Sequence, residues 1–383
     1  MIYLDNAATT RTAPEVVEAM LPYFTECYGN AGGIYKLGSA GKKAVIRAKE
    51  TIAGTLGAEP NEIYFTSGGT EADNWALKAV WEACRGKGGH IITSGIEHHA
   101  VLHSCEYLER HGVKVTYLDV DRDGLINLQQ LERAIRPDTV LISIMYANNE
   151  IGTIEPVREI GQIAHEHGIL FHTDAVQAYG QIPINVQECH IDLLSASAHK
   201  FNGPKGAGFL FIGKKVKIHP FMHGGQQERG RRAGTENVPG IVGMAAAAER
   251  AYRVMEEKRK NVSALRDYMI DQISQRIPCA ELNGHPVRRL PGNINFRFGG
   301  VESESVLIML DMQGICASGG SACSSGSIDP SHVLLAAGLT PDQARSSVRF
   351  SLGGENTKEE IDMAVAELTE IVARLRKMRG WTG

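Results

Sequence analysis

Short apolar runs alternating with stretches of helical periodicity constrain the fold of this 383-residue chain more than any other feature. The runs fall at 62–66, 90–93, 113–118, 140–145, 169–172, 191–195 and 208–212. Val140-Leu141-Ile142-Ser143-Ile144-Met145 shows no polar alternation, as in a strand covered on both faces. Residues 71–84 and 157–167 read as helices between such runs, and residues 14–23 as a helix with Val17, Met20 and Leu21 on one face. The pattern predicts an α/β fold with a mostly parallel seven-stranded sheet. Ligands of such sheets bind beyond the carboxyl ends of the strands.

After Pro239 the rhythm changes. One or two long helices are expected over 238–276, strands at 293–297 and 347–351, and a terminal helix over 358–377. In the last of these, Ile361, Val365, Leu368, Val372 and Leu375 share a face. This gives three expected parts: residues 1–14 as an N-terminal segment joining the small domain, 15–258 as a large domain, and 259–383 as a smaller α+β domain. The composition, 43% hydrophobic and 22% charged, is that of a globular protein. A formal charge of -4 without a long basic run argues against direct contact with nucleic acid or a membrane surface. No leading basic and apolar segment is present, nor an apolar run near the roughly 20 residues of a spanning helix. The expected location is therefore cytoplasmic. Seven scattered cysteines without a C-x-x-C pair argue against a disulfide framework or a zinc ribbon, and no metal site is expected.

Polar residues gather where the strands should stop. Thr66-Ser67-Gly68-Gly69-Thr70-Glu71 joins a strand to a helix, where glycines let the backbone approach an anion and first-turn amides favour its charge. The same segment also reads as an ordinary glycine turn with Thr70 as a helix cap. Asp174 closes one apolar run, and a carboxylate there is costly unless paired. A pyridinium N–H would pair it, and Gln177 lies three residues on. Lys200 follows Ser197-Ala198-His199, in a setting that could lower its pKa and make it a nucleophile. His98 could stack on a ring and relay protons, and Asn149 could donate to a ring oxygen. A lysine forming a Schiff base and an acid on the ring nitrogen are what a pyridoxal 5'-phosphate enzyme needs. Taken singly, Asp174 also reads as a helix cap and Lys200 as a solvated lysine.

Taken together, these motifs resemble the cysteine desulfurases of the NifS/IscS type, within the class V aminotransferase family of fold type I pyridoxal phosphate enzymes. The resemblance rests on residues 3–10, 66–74, Glu97-His98, 148–152, Asp174 to Gln177, Ser197 to Lys200, 203–206, 231–237, Ser321-Ala322-Cys323 and 347–351. It implies that the large domain binds the cofactor. Lys200 would carry it as a Schiff base, Asp174 would pair its nitrogen and His98 would stack on it. Asn149 and Gln177 would lie near the ring oxygen, and Gly69, Thr70, Ser197 and His199 would hold the phosphate. Thr235 would reach the cofactor phosphate of a neighbouring subunit, which implies a homodimer. Arg349 would grip the substrate carboxylate, with Asn149 beside it; its fork of donors suits that task.

Cys323 sits in Ser318 to Ser327, almost all serine and glycine, and so is expected to be exposed on a mobile loop. With the resemblance, its thiolate would take sulfur from L-cysteine as a persulfide and release L-alanine. The acceptor would be a protein such as an iron–sulfur scaffold or a tRNA-thiolation enzyme. A selenocysteine lyase or an aminotransferase of the same fold is the alternative, and a non-enzymatic scaffold is disfavoured because no cofactor residue is missing. One segment departs from the family. The family shows Gly-Asn-Pro-Ser-Ser before a histidine where this chain has Gly29-Asn30-Ala31-Gly32-Gly33-Ile34-Tyr35. In the family this segment lies near the substrate entrance, so the departure is expected to bear on substrate access and not on the cofactor.

Overall fold

The computed structural model describes residues 1–84, 89–319 and 329–381. Its largest sheet has seven strands in the order Ile63–Thr66, Gly208–Ile212, Leu193–Ser197, Leu170–Asp174, Thr139–Ser143, His90–Ser94 and Lys114–Leu118. Gly208–Ile212 runs antiparallel to both neighbours, and the other ladders are parallel. The strands His90–Ser94, Leu193–Ser197 and Gly208–Ile212 are buried at every position, which is why they lack alternation in sequence. Adjacent residues of one strand serve opposite cores. Ile91, Leu141 and Leu193 pack with Trp75, Val80 and Val101 on one face. Ile92, Ile142 and Leu194 pack with Ile52, Ile160 and Met244 on the other.

A second core forms around a four-stranded antiparallel sheet ordered Ser318–Gly319, Ser347–Ser351, Asn293–Phe298 and Ala280–Leu282. The helices Met255–Arg276 and Lys358–Met378 cover it. On the latter Ile361, Val365, Leu368 and Val372 face inward, as the spacing requires, and Leu375 packs at the margin. The first residues of the chain join this unit. Ile2–Tyr3 pairs in parallel with Ile315–Cys316, and Asp5 bridges to Ser351.

Two expectations are corrected. The first helix ends at Met20 and a separate turn, Pro22–Thr25, follows, because Pro22 cannot donate to the preceding turn. The inward residue there is Val16, while Val17 and Leu21 are exposed. A 21-residue helix, Lys36–Leu56, lies where no helix was expected. Its glycines do not break it, because they admit close backbone neighbours: a Cβ at Gly38 would meet the Asn30 carbonyl oxygen at 2.6 Å.

Candidate active site

The carboxyl ends of the parallel strands meet at one cavity of about 250 Å³. Each connection that reaches it is pinned by a local bond. After His90–Ser94, the Ser94 hydroxyl and the Met145 amide both donate to Glu97 Oε1, at 2.7 and 2.9 Å. The turn so held delivers His98 as the cap of helix His99–Glu109, with Nδ1 accepting from the Ala100 amide at 3.1 Å. Burial, then the Lys200 charge, pushes the His98 pKa down to about 4. The ring is therefore neutral, and with Nδ1 an acceptor its proton sits on Nε2. After Thr139–Ser143, Asn148 Oδ1 accepts from the amides of Glu150 and Ile151, closing a turn that carries Asn149 to the cavity wall.

Asp174 ends its strand inside the cavity, 5% exposed. Its Oδ1 accepts the Val176 amide at 2.9 Å, yet burial still pushes the carboxyl up to about 6. Such a group is completed by a cation from a ligand. Lys200 follows Leu193–Ser197 in a single 3-10 turn, and its Nζ donates to the carbonyls of Ala7 and Ala8 at 2.5 and 2.8 Å. Gln177 lines the same cavity while its amide donates to Ala7 O at 3.0 Å.

The cavity is also lined by Gly69, Thr70, Ser197 and His199. Gly68 is the cap of helix Gly69–Ala83, so Thr70 stands in the first turn and its hydroxyl does not cap it. A Cβ at Gly69 would meet Val176 Cγ2 at 2.5 Å, so the helix start can come this near the Asp174 loop only as glycine. His199 Nδ1 lies 3.1 Å from the Thr9 hydroxyl, and burial lowers its pKa to about 4. At the far wall Arg349, 1% exposed, projects from Ser347–Ser351. It donates to Asn149 O at 2.9 Å and to Asp5 Oδ1 at 2.8 Å, while its Nε has no hydrogen-bond partner among the described residues.

Gly69, Thr70, His98, Asn149, Asp174, Gln177, Ser197, His199, Lys200 and Arg349 thus share one cavity. Thr235 does not; it lines a separate depression with Ser67 and Arg232. Cys323 lies outside the described residues. The segment 31–34 lines another depression with Lys49, Asn61 and Glu228. Gly38 and Gly41 of the following helix seat residues 29–33 against that helix. Sequence reasoning singled out neither the Ala7 and Ala8 carbonyls nor Asp73 as parts of the cavity. The former act through the main chain, which carries no residue signal. Asp73, one turn into the helix after the glycine loop, was detectable from its i, i+4 spacing to Gly69.

The family profile Aminotransferase class-V matches residues 2–363. A protein of Methanosarcina thermophila named "Cysteine desulfurase IscS" is 56% identical, covering 98% of this chain and 93% of that one. "Putative cysteine desulfurase IscS 1" of Bacillus subtilis is 48% identical over 98% of this chain and 99% of its own length. A solved structure titled "NIFS-LIKE PROTEIN" superposes with a TM-score of 0.92 at 39% identity, covering 97% of this chain and 99% of that one.

Proposed function

The chain belongs to the class-V aminotransferase family as a cysteine desulfurase, and we propose that it converts L-cysteine to L-alanine with pyridoxal phosphate held in the Lys200 cavity. The residues present fit that group. A buried Asp174 carboxyl awaits a cation, hydroxyls and a helix start await an anion, and Gly69, where a Cβ would strike Val176, lets that helix start come close to the Asp174 loop. Asp174 would hold the pyridine nitrogen and Lys200 would bind the cofactor through Nζ. Gly69, Thr70, Ser197 and His199 would hold the phosphate, and Asn149 and Gln177 would lie by the ring oxygen. Thr235 would serve the phosphate of a second subunit. When bound, pyridoxal phosphate supplies the electron sink for the carbons next to the substrate amine.

The chain's own groups do the rest. Arg349, fixed by Asn149 and Asp5, would orient the substrate carboxylate. His98, neutral and carrying its proton on Nε2, would stack on the ring and give or take a proton there, with Lys200 Nζ as its counterpart. The Cys323 thiolate would attack the substrate sulfur. An S–S bond forms as the substrate C–S bond breaks, the bond's electron pair stays with the carbon, and a proton completes alanine. The persulfide would then pass to an acceptor such as an iron–sulfur scaffold protein or a tRNA-thiolation enzyme.

The observation that carries this reading is the convergence of Asp174, Lys200, His98 and Arg349 on one cavity. The test is to incubate protein reconstituted with pyridoxal phosphate with L-cysteine and a thiol reductant. Alanine and sulfide should appear in equal amounts, Lys200→Ala should lose the visible absorption of the bound cofactor, and Cys323→Ala should lose sulfide release. Reconstituted wild type that makes no alanine would sink the reading.

A further inference from the structure

Among the residues that line the cavity is a buried carboxyl to which the proposed reaction assigns no step. Asp73 stands on helix Gly69–Ala83 and is 1% exposed. Among the described residues its Oδ1 has no hydrogen-bond partner, and the Ser195 hydroxyl is the donor that eases its charge. The nearest basic atom, His172 Nε2, is 3.7 Å away. That imidazole is already spent: Nε2 lies 3.0 Å from Ser195 Oγ and Nδ1 2.8 Å from Ser143 Oγ. Wholly buried between two hydroxyls, it is neutral, its pKa lowered to about 3 by desolvation. The other titratable groups facing Asp73 are acids, Asp174 from the strand Leu170–Asp174 and Glu97 from the turn after His90–Ser94.

A buried anion needs a cation or several donors, and two like charges side by side cannot both persist. Asp174 has the better claim, with a backbone amide at 2.9 Å and the Lys200 charge beside it. Asp73 has one hydroxyl. Both burial and the neighbouring acids raise its pKa well above the usual carboxyl range.

We propose that Asp73 is a positioning residue that keeps its proton in the folded protein, meeting Ser195 as a neutral acid and leaving Asp174 as the anion that faces the cofactor nitrogen. The geometry supports the link. Ser195 is the register partner of Asp174 across the two strands, and His172 shares a strand face with Asp174 two residues away. The role toward the cofactor rests on the pyridoxal phosphate reading; the proton on Asp73 does not.

The test compares Asp73→Asn, a neutral isostere, with wild type and Asp174→Asn. A carboxyl protonated when folded, but with an ordinary pKa near 4 when unfolded, takes up a proton on folding. Its contribution is fully present below about pH 4 and declines as pH rises. The asparagine variant has no such loss. Its melting temperature should gain on wild type as pH rises from 5, by about 2 °C per pH unit for as long as the folded carboxyl keeps its proton. A flat or reversed difference overturns the proposal. Asp73→Ser, also neutral, must show the same trend should Asp73→Asn fail to fold. The second readout is pyridoxal phosphate affinity of the stripped protein. Asp73→Asn should stay within about threefold of wild type while Asp174→Asn weakens more than tenfold, a difference beyond about 1.4 kcal/mol. Equal losses would make Asp73 the charged partner and overturn the assignment. If wild type itself binds no pyridoxal phosphate, the cofactor reading fails while the melting trend still decides Asp73.

Discussion

Arg349 spends two of its guanidinium N–H groups inside the protein, one on a carbonyl and one on Asp5, so its plane is fixed before any substrate arrives. Fixing the fork beforehand lowers the ordering cost of binding a carboxylate. A lysine would place one point charge where a rigid fork stood. Arg349→Lys is expected to raise KM for cysteine on the order of 10²-fold, with kcat changed far less, because the lost contact is uniform through the reaction. Steady-state kinetics over a wide range of cysteine concentration would check this; a fall in kcat at unchanged KM would place Arg349 elsewhere in the chemistry. His98 illustrates a different economy. The same bond that starts its helix also sets its tautomer, so one backbone amide decides both where the ring stands and which nitrogen carries the proton.

At the scale of elements, the strand-to-helix turn at Gly69 sets how near the first turn of a helix can come to the Asp174 loop. Val176 is β-branched and stiff, so it yields little to a new methyl group. Gly69→Ala is expected to cost about 1–3 kcal/mol of stability and to weaken pyridoxal phosphate binding. Adding Val176→Ala should restore much of both. Thermal melts and cofactor titration of the single and double variants would check it, and a double variant no better than Gly69→Ala would point to backbone strain instead. The strands were legible in sequence to within two residues or so, because burial on both faces leaves uninterrupted apolar runs such as Phe209-Leu210-Phe211-Ile212. The site residues at their ends were legible for the same reason: polar groups stand out after such runs. The helix Lys36–Leu56 was not, because its glycines answer to a neighbouring backbone and not to its own propensity. The face of the first helix was misread because so short a helix, stopped by Pro22, follows the core next to it through Val16 rather than its own periodicity.

At the scale of the whole molecule, Val17, Leu21, Phe24 and Tyr28 stand exposed along the first helices and the loop after them, and Ile34 and Ile46 line the depression next to Lys49. We propose these exposed apolar side chains as part of the contact surface between two copies of the chain. With Thr235 outside its own chain's cavity, they suit the proposed homodimer. Light scattering should give twice the 41.6 kDa of one chain, and Phe24→Asp should shift the mass toward one chain and loosen the cofactor. A wild type that runs as a single chain at micromolar concentration would rule the dimer out. The division into residues 15–258 and 259–383 that we propose falls near Val254, between a helix packed on the large sheet and one packed on the small. The stretch before it has a consequence for the order in which the molecule is made. Residues 2–8 leave the ribosome well before their partners, yet Ile2 pairs with Ile315, Asp5 with Arg349, and the Ala7 and Ala8 carbonyls with Lys200. The lysine's own cradle is therefore among the last parts to assemble, and a chain still in synthesis holds a cavity without one of its walls.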